Sequence, residues 1–216
     1  MFFHIDFIKT EEPEVLTSQW RTFAQTLDKA PFFSGAWLHS TYRCLNQDEY
    51  QLVGITEWEG DGAHADPRAA RPCPLCSARG DARGERNLYT VLNQGGDVRK
   101  MSFTGNVVVT NPYRIERGEA AKYAQMWDES KRHMEMQPGF VNAFLFQCVN
   151  PESDYFLISR AEWKSEEMFM KQFEGKDFRR IVEPFEGIFS ICLSTVVSEI
   201  SGESGGEQIR AGRRER

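Results

Sequence analysis

The sequence has no apolar run approaching the roughly 20 residues that a membrane-spanning helix requires, so no membrane partner is expected. Positive charge is not in excess either. Lys and Arg number 26 against 32 Asp and Glu, and the net charge of -6 offers no field to hold nucleic acid or an anionic lipid surface. Cysteine is scarce and odd in number: Cys44, Cys73, Cys76, Cys148 and Cys192 are scattered along the chain. That is not the framework of a disulfide-stapled secreted domain, and a reducing cytoplasm fits it better. The opening MFFHIDFIKT lacks a basic stretch followed by a long apolar segment, so it reads as a strand and not as a signal peptide. No serine-histidine-acid pattern and no phosphate-cradling glycine loop is visible. Cys73 and Cys76 have the spacing of half a zinc site, with His64 nearby. A fourth ligand is not evident, so no metal is expected and an unpaired loop dithiol is the simpler reading. Of the four histidines, His4, His39, His64 and His133, any could serve a phenolic substrate as general base or be an ordinary core or solvated side chain.

What is present is apolar patterning. Hydrophobic residues make up 40% of the chain and aromatics 12%, which suffices for a packed core. Residues 106–113 read as a strand. Tyr123, Met126, Trp127 and Met134 then recur at the spacing of one helix face, which Pro138-Gly139 ends. Strands are predicted at 140–149 and 155–163, joined by a turn. Ser165 is a good N-cap for a helix bearing Met168, Phe169 and Phe173, with Glu166 and Glu167 in its first turn. Asp177 is expected to cap a short further turn, and residues 188–200 to close the unit as a strand. The order is β-α-β-β-α-β.

The first half repeats much of this order: a strand over 2–8, a helix face of Leu16, Trp20, Phe23, Ala24 and Leu27, and strands over 36–44 and 50–58. YQLVGITEW and YFLISRAEW share Tyr, Leu, Glu and Trp at equal positions, Trp58 and Trp163 lying 105 residues apart. Gly35 and Gly139, 104 apart, are read as equivalent turn glycines. The units are placed at 1–93, with an irregular insertion over 60–87, and at 106–200. Residues 94–105 are a linker and 201–216 a disordered tail.

The Pro138-Gly139-Phe140 turn before the second strand, with AEWKSEEMF after the third, resembles the antibiotic-biosynthesis-monooxygenase family, well over 106–200 and loosely over 1–92. The resemblance implies an α+β fold of two ferredoxin-like units forming an intrachain pseudo-dimer of the dimeric α/β-barrel type. It also implies a ligand held between helices and sheet. Alternation puts Tyr155, Leu157, Ser159, Ala161 and Trp163 on one strand face. The family's quinone-forming oxygenases use dioxygen without a cofactor. They carry Asn four residues before the strand-ending Trp and Tyr six residues after it, where this chain has Ser159 and Phe169. Its haem-degrading members carry an Asn in the first strand, matched by Asn111. Their Trp and haem-ligating His fall at Gln172 and Val182, so a haem cofactor is not expected.

The resulting expectation is a cofactor-independent monooxygenase acting on an aromatic or other apolar small molecule. The candidate site is Asn111, Tyr155, Ser159, Trp163 and Phe169, with the second unit carrying the activity. The alternative is a non-catalytic binding or structural protein that retains the fold. Further self-association stays open.

Overall fold

The structure is a computed structural model, and it describes residues 1–45, 50–60, 88–150, 153–185 and 187–202. Of the insertion expected over 60–87, residues 61–87, with Cys73, Cys76 and His64, lie outside the described residues, as do 46–49 in the first turn and the tail from 203. Two compact units emerge: Met1–Ser40, Tyr50–Tyr89 and Val197–Arg216 form the first, and Thr41–Glu49 with Thr90–Val196 the second. Each mixes antiparallel strands with helices, so the chain is α+β.

In the first unit, β1 (Phe2–Ile8) lies between β3 (Leu52–Trp58) and β4 (Leu88–Gly96), and β3 also pairs with β2 (Phe33–Cys44), giving the order β4-β1-β3-β2. Helix α1 (Pro13–Gln25) begins with Pro at a position where a missing N–H costs nothing. Its buried face of Leu16, Trp20, Phe23 and Ala24 packs with Ile8, Leu38, Leu52 and Trp58.

The second unit has β5 (Val107–Tyr113), α2 (Ala120–Glu135), β6 (Phe140–Cys148), β7 (Leu157–Trp163), α3 (Glu166–Lys171), α4 (Lys176–Val182) and β8 (Cys192–Ser201). Its sheet order is β8-β5-β7-β6. Ser165 caps α3 as expected, its hydroxyl accepting from the Met168 N–H at 3.2 Å. Asp177 does not cap α4: Gly175 occupies the cap position and Asp177 sits in the first turn. β4 runs on to Gly96, so residues 94–96 are strand and not linker.

The two sheets share more than strand order. Phe2 pairs with Trp58 as Val107 pairs with Trp163, and a bulge follows Phe33 in β2 as one follows Phe140 in β6. Gly139 adopts φ 85°, where an L side chain is strained, and a Cβ there would run into the Met168 side chain. Its carbonyl accepts from Lys164 N at 2.8 Å. The corresponding residue in the first unit is Phe32 and not Gly35. Phe32 has φ 64°, precedes β2 as Gly139 precedes β6, and accepts from Glu59 N at 2.7 Å. Gly35 sits inside β2, opposite Glu57.

β7 is buried at every position. On the face away from the cavity described below, the Arg160 guanidinium donates to Glu162 at 2.6 Å, to Asn142 at 2.8 Å and to Ser102. Glu162 also accepts from Phe103 N at 2.9 Å and Asn106 at 2.7 Å, while Asn142 donates to the carbonyls of Asp97 and Lys100. This network ties residues 97–106 to the sheet. Burial pushes the Arg160 guanidinium down in pKa, and the Glu162 charge opposes it.

The cysteines require a correction. Cys44 and Cys192 form a disulfide with Cα atoms 4.1 Å apart. Far apart in the chain, they fall at the end of β2 and the start of β8, where Leu45 N donates to the Ile191 carbonyl at 2.9 Å. Cys148 is free and buried. Among the described residues no helix is long and apolar enough to cross a membrane.

Two outcomes are expected. Glu162→Gln leaves a buried guanidinium without its counter-charge and should cost about 3–5 kcal/mol in denaturant melts, whereas replacing Arg160 and Glu162 together by Met and Leu should cost far less. Equal losses would show that the pair's geometry, not its charge balance, matters. Glu57, half-buried at the matching place in β3, is pushed up to about 7 by burial first and then by the Glu59 charge. A carboxyl with a raised native pKa stabilises fully below its unfolded value. That stability, on the order of 2–3 kcal/mol, is lost as pH rises through about 7. Melts from pH 4 to 8 should fall across this window, and Glu57→Gln should flatten the fall.

Candidate functional site

A cavity of about 610 Å³ lies within the second unit between its helices and its sheet. The strands supply Val109, Asn111 and Tyr113 from β5 and Ser159 and Ala161 from β7. Helix α2 contributes Met126, Trp127, Ser130 and Met134. Phe169 from α3 and Phe173 and Phe178 around α4 form the opposite wall. These rings continue an edge-to-face series, Phe169–Phe173 at 5.4 Å and Phe173–Phe178 at 5.1 Å between centroids. Aromatic edges meeting faces hold such a wall in one arrangement.

The polar groups gather where β5 and β7 pair. Asn111 and Ser159 are directly opposed across the two strands. The Trp127 indole N–H donates to the Ser159 hydroxyl at 2.9 Å. Tyr113 lines the same cavity. With its amide nitrogen turned toward them, Asn111 donates to the carbonyls of Thr110 at 3.1 Å and Ser190 at 2.7 Å. Burial pushes the Tyr113 phenol well above its ordinary pKa, so it remains protonated. Gln172 is buried, and its amide nitrogen donates to the Phe169 carbonyl at 2.9 Å. Arg179, exposed, is the charged side chain on the lining, its Nε donating to the Phe173 carbonyl at 2.6 Å.

Of the five candidate residues, Asn111, Ser159 and Phe169 come together on this cavity. Tyr155 does not. It precedes β7 and lines a separate hollow with Arg114, whose guanidinium donates to its hydroxyl at 3.3 Å. Trp163 is completely buried between Phe140 at 5.5 Å and Phe169 at 5.9 Å, behind the wall. Its indole N–H has no partner among the described residues, whereas that of Trp58 donates to Thr56 at 3.0 Å. The position matching Thr56 is Ala161. Trp127 and Tyr113, which complete the polar group, carry apolar-face and strand signals in the sequence and no signal of a site.

Among the described residues, no histidine lines the cavity. Val182, the position to which the resemblance assigns a haem-ligating His, lines the cavity, and His133 packs its ring on Phe178 at 5.2 Å without reaching the lining. The protonated Tyr113 phenol is no substitute. No group of His, Cys, Asp and Glu that could hold a metal occurs among the described residues.

Residues 106–184 match the family model described as antibiotic biosynthesis monooxygenase. Over these residues the chain is similar to that family. A search of curated proteins returned no match. Solved structures share the fold over nearly the whole chain. An anthrone oxidase-like protein is 13% identical at TM-score 0.64, covering 96% of this chain and 93% of its own. A candidate monooxygenase from Fusobacterium nucleatum subsp. nucleatum ATCC 25586 is 10% identical at TM-score 0.58, covering 93% of each chain. One from Lactobacillus acidophilus NCFM is 8% identical at TM-score 0.55, covering 93% of this chain and 95% of its own.

Titration with hemin should produce no Soret band of a histidine-ligated complex. A band abolished by mutating a single histidine would overturn this reading of the donor set.

Proposed function

We propose that the second unit is a cofactor-independent monooxygenase for a planar aromatic substrate with an oxygen substituent, and that the first unit is a duplicated partner without a site. The observation that carries the reading is the juxtaposition of an aromatic-walled cavity with the opposed Asn111–Ser159 pair at its sheet side. The equal strand order, the matching register at Trp58 and Trp163 and the matching bulges support duplication. In the proposed role Phe169 and Phe178 hold the ring system, Asn111 and Ser159 engage its oxygen, and the apolar wall limits water.

The reaction this site suits starts at an acidic ring methylene conjugated with the engaged oxygen. One proton leaves to solvent and the electron pair remains as an enolate stabilised by the hydrogen bonds. Dioxygen adds at carbon and takes up a proton to give a hydroperoxide, which loses water to leave a ketone. In net terms one methylene and one dioxygen become one ketone carbonyl and one water, with the substrate as the only reductant.

A second reading, a non-catalytic binding protein, draws on one feature: the described lining contains no carboxylate and no imidazole to act as general base. Anthrone separates the two. An oxygenase should consume one dioxygen per anthrone and form anthraquinone above the buffer rate, with Ser159→Ala lowering the rate by about a hundredfold if the hydroxyl meets the developing charge. Anthrone that binds but oxidises at the buffer rate establishes the binding protein instead.

A further inference from the structure

We propose that the Cys44–Cys192 bridge is a redox-controlled clasp on the cavity, and that its reduction by a dithiol displaces Leu45 from the lining and weakens retention of an apolar ligand. This rests on the cavity of the function proposed above and not on turnover. Each cysteine is one residue from the lining. Leu45 follows Cys44, Ile191 precedes Cys192, and both Leu45 and Ile191 line the cavity and pack against the apolar core of the second unit. The Leu45 N–H donates to the Ile191 carbonyl at 2.9 Å, so the bridge and this bond join the same two segments. All four residues belong to the second unit.

The two ends of the bridge differ in freedom. Cys192 is completely buried and pairs with Thr110 of β5. Cys44 is half-buried and follows Tyr42 and Arg43, which are exposed. An incoming thiolate therefore meets the Cys44 sulfur. The reductant's first thiolate bonds to Cys44 Sγ, the S–S bond breaks, and Cys192 leaves as a thiolate that takes up a proton. The reductant's second thiolate then attacks its own sulfur in the mixed disulfide and releases Cys44, which is protonated in turn. Two electrons and two protons reach the protein, and the dithiol becomes a disulfide. Sulfurs bonded about 2 Å apart must then separate to the roughly 3.5–4 Å of non-bonded atoms. Cys192 is held in β8, so Cys44 takes up the displacement and carries Leu45 with it. The contacts of Tyr42 and Arg43 to Glu166, the first residue of α3, do not replace the bridge. Arg43 is half-exposed, and solvent weakens such an ion pair.

Peptide mapping of the alkylated, air-oxidised full-length protein should recover Cys44 linked to Cys192, and dithiothreitol should free both. Reduction should speed hydrogen exchange in the peptide containing Leu45 by about tenfold, while peptides of β7 stay protected. The fluorescent apolar probe 1-aminoanthracene should bind the reduced protein about tenfold more weakly. Linkage then requires that saturating probe lower the reduction potential of the bridge by about 30 mV, the same factor for a two-electron couple. Cys44→Ser should match the reduced protein in exchange and affinity and no longer respond to dithiothreitol. A bridge that only adds stability would move the melting temperature and leave probe affinity unchanged. Thermal melts confirm that Cys44→Ser is folded, and Cys44→Ala keeps the test available if it is not. Free thiols at both positions in the air-oxidised protein, Leu45 exchange indifferent to reduction, or equal probe affinities in the two states would each overturn the clasp. No binding of the probe in either state would remove the ligand site itself, and the clasp with it. Redox-dependent binding without anthrone oxidation would leave the clasp standing and remove the oxygenase.

Discussion

The burial of β7 on both faces is the constraint on which the second unit depends. A strand alternates its side chains, so seven buried residues must be satisfied by two different environments. One face meets α2 and α3 and carries Leu157, Ser159, Ala161 and Trp163. The other carries Ile158, Arg160 and Glu162. A charge pair without exposure survives there because nearly every donor and acceptor has a partner: Asn142, Ser102, Asn106 and the backbone of residue 103 surround it. Most of those partners come from the stretch leading into β5. Binding it to Arg160 and Glu162 fixes where β5 enters the sheet, and hence that Asn111 stands opposite Ser159. The cavity floor is therefore set from the opposite side of the sheet.

Much of this fold was legible in the sequence because it is written in period. β1 and the C-terminal ends of β2, β3, β5 and β7 fall where alternation placed them, and Ser165 caps α3 through the hydroxyl expected of it. What failed depended on backbone conformation that residue type reports only loosely. Glycine is the usual occupant of a positive φ, so Gly35 looked like the partner of Gly139. The residue in that conformation is Phe32, a side chain for which it is uncommon. The Cys44–Cys192 bridge was illegible for a different reason. Pairing depends on distance in space, and 148 residues of sequence separate the two.

The candidate site divides along the same line. Asn111, Ser159 and Phe169 could be placed because strand alternation and one helix turn carry them to the same side. Tyr155 shares the parity of Ser159, but the chain is not yet in β7 at that point, and parity means nothing outside a strand. Trp163 has the right parity and the wrong depth: it lies behind Phe169, where a large ring fills the junction of helix and sheet. Trp127 was read as a core residue from helical spacing, and it is one. Its N–H makes it more than that, and only the position of a serine on another element reveals this.

The contrast between the units turns on a few side chains. Trp20 in α1 and Trp127 in α2 are both buried, and both precede a Phe that pairs with a strand-ending Trp. The strand position that carries Ser159 in the second unit carries Gly54 in the first, which has no hydroxyl to receive an indole N–H. Where the second unit has Ala161, the first has Thr56, whose hydroxyl is taken by Trp58. In the first unit polar capacity is thus used to fasten a core Trp. In the second the corresponding Trp163 is left unfastened, while a different Trp engages a hydroxyl at the cavity. Moving one hydroxyl along a strand, from beside the terminal Trp to beneath the helix, exchanges an anchoring contact for one a ligand can reach. A backbone with the same strand order and register can therefore carry two different pairings of indole and hydroxyl.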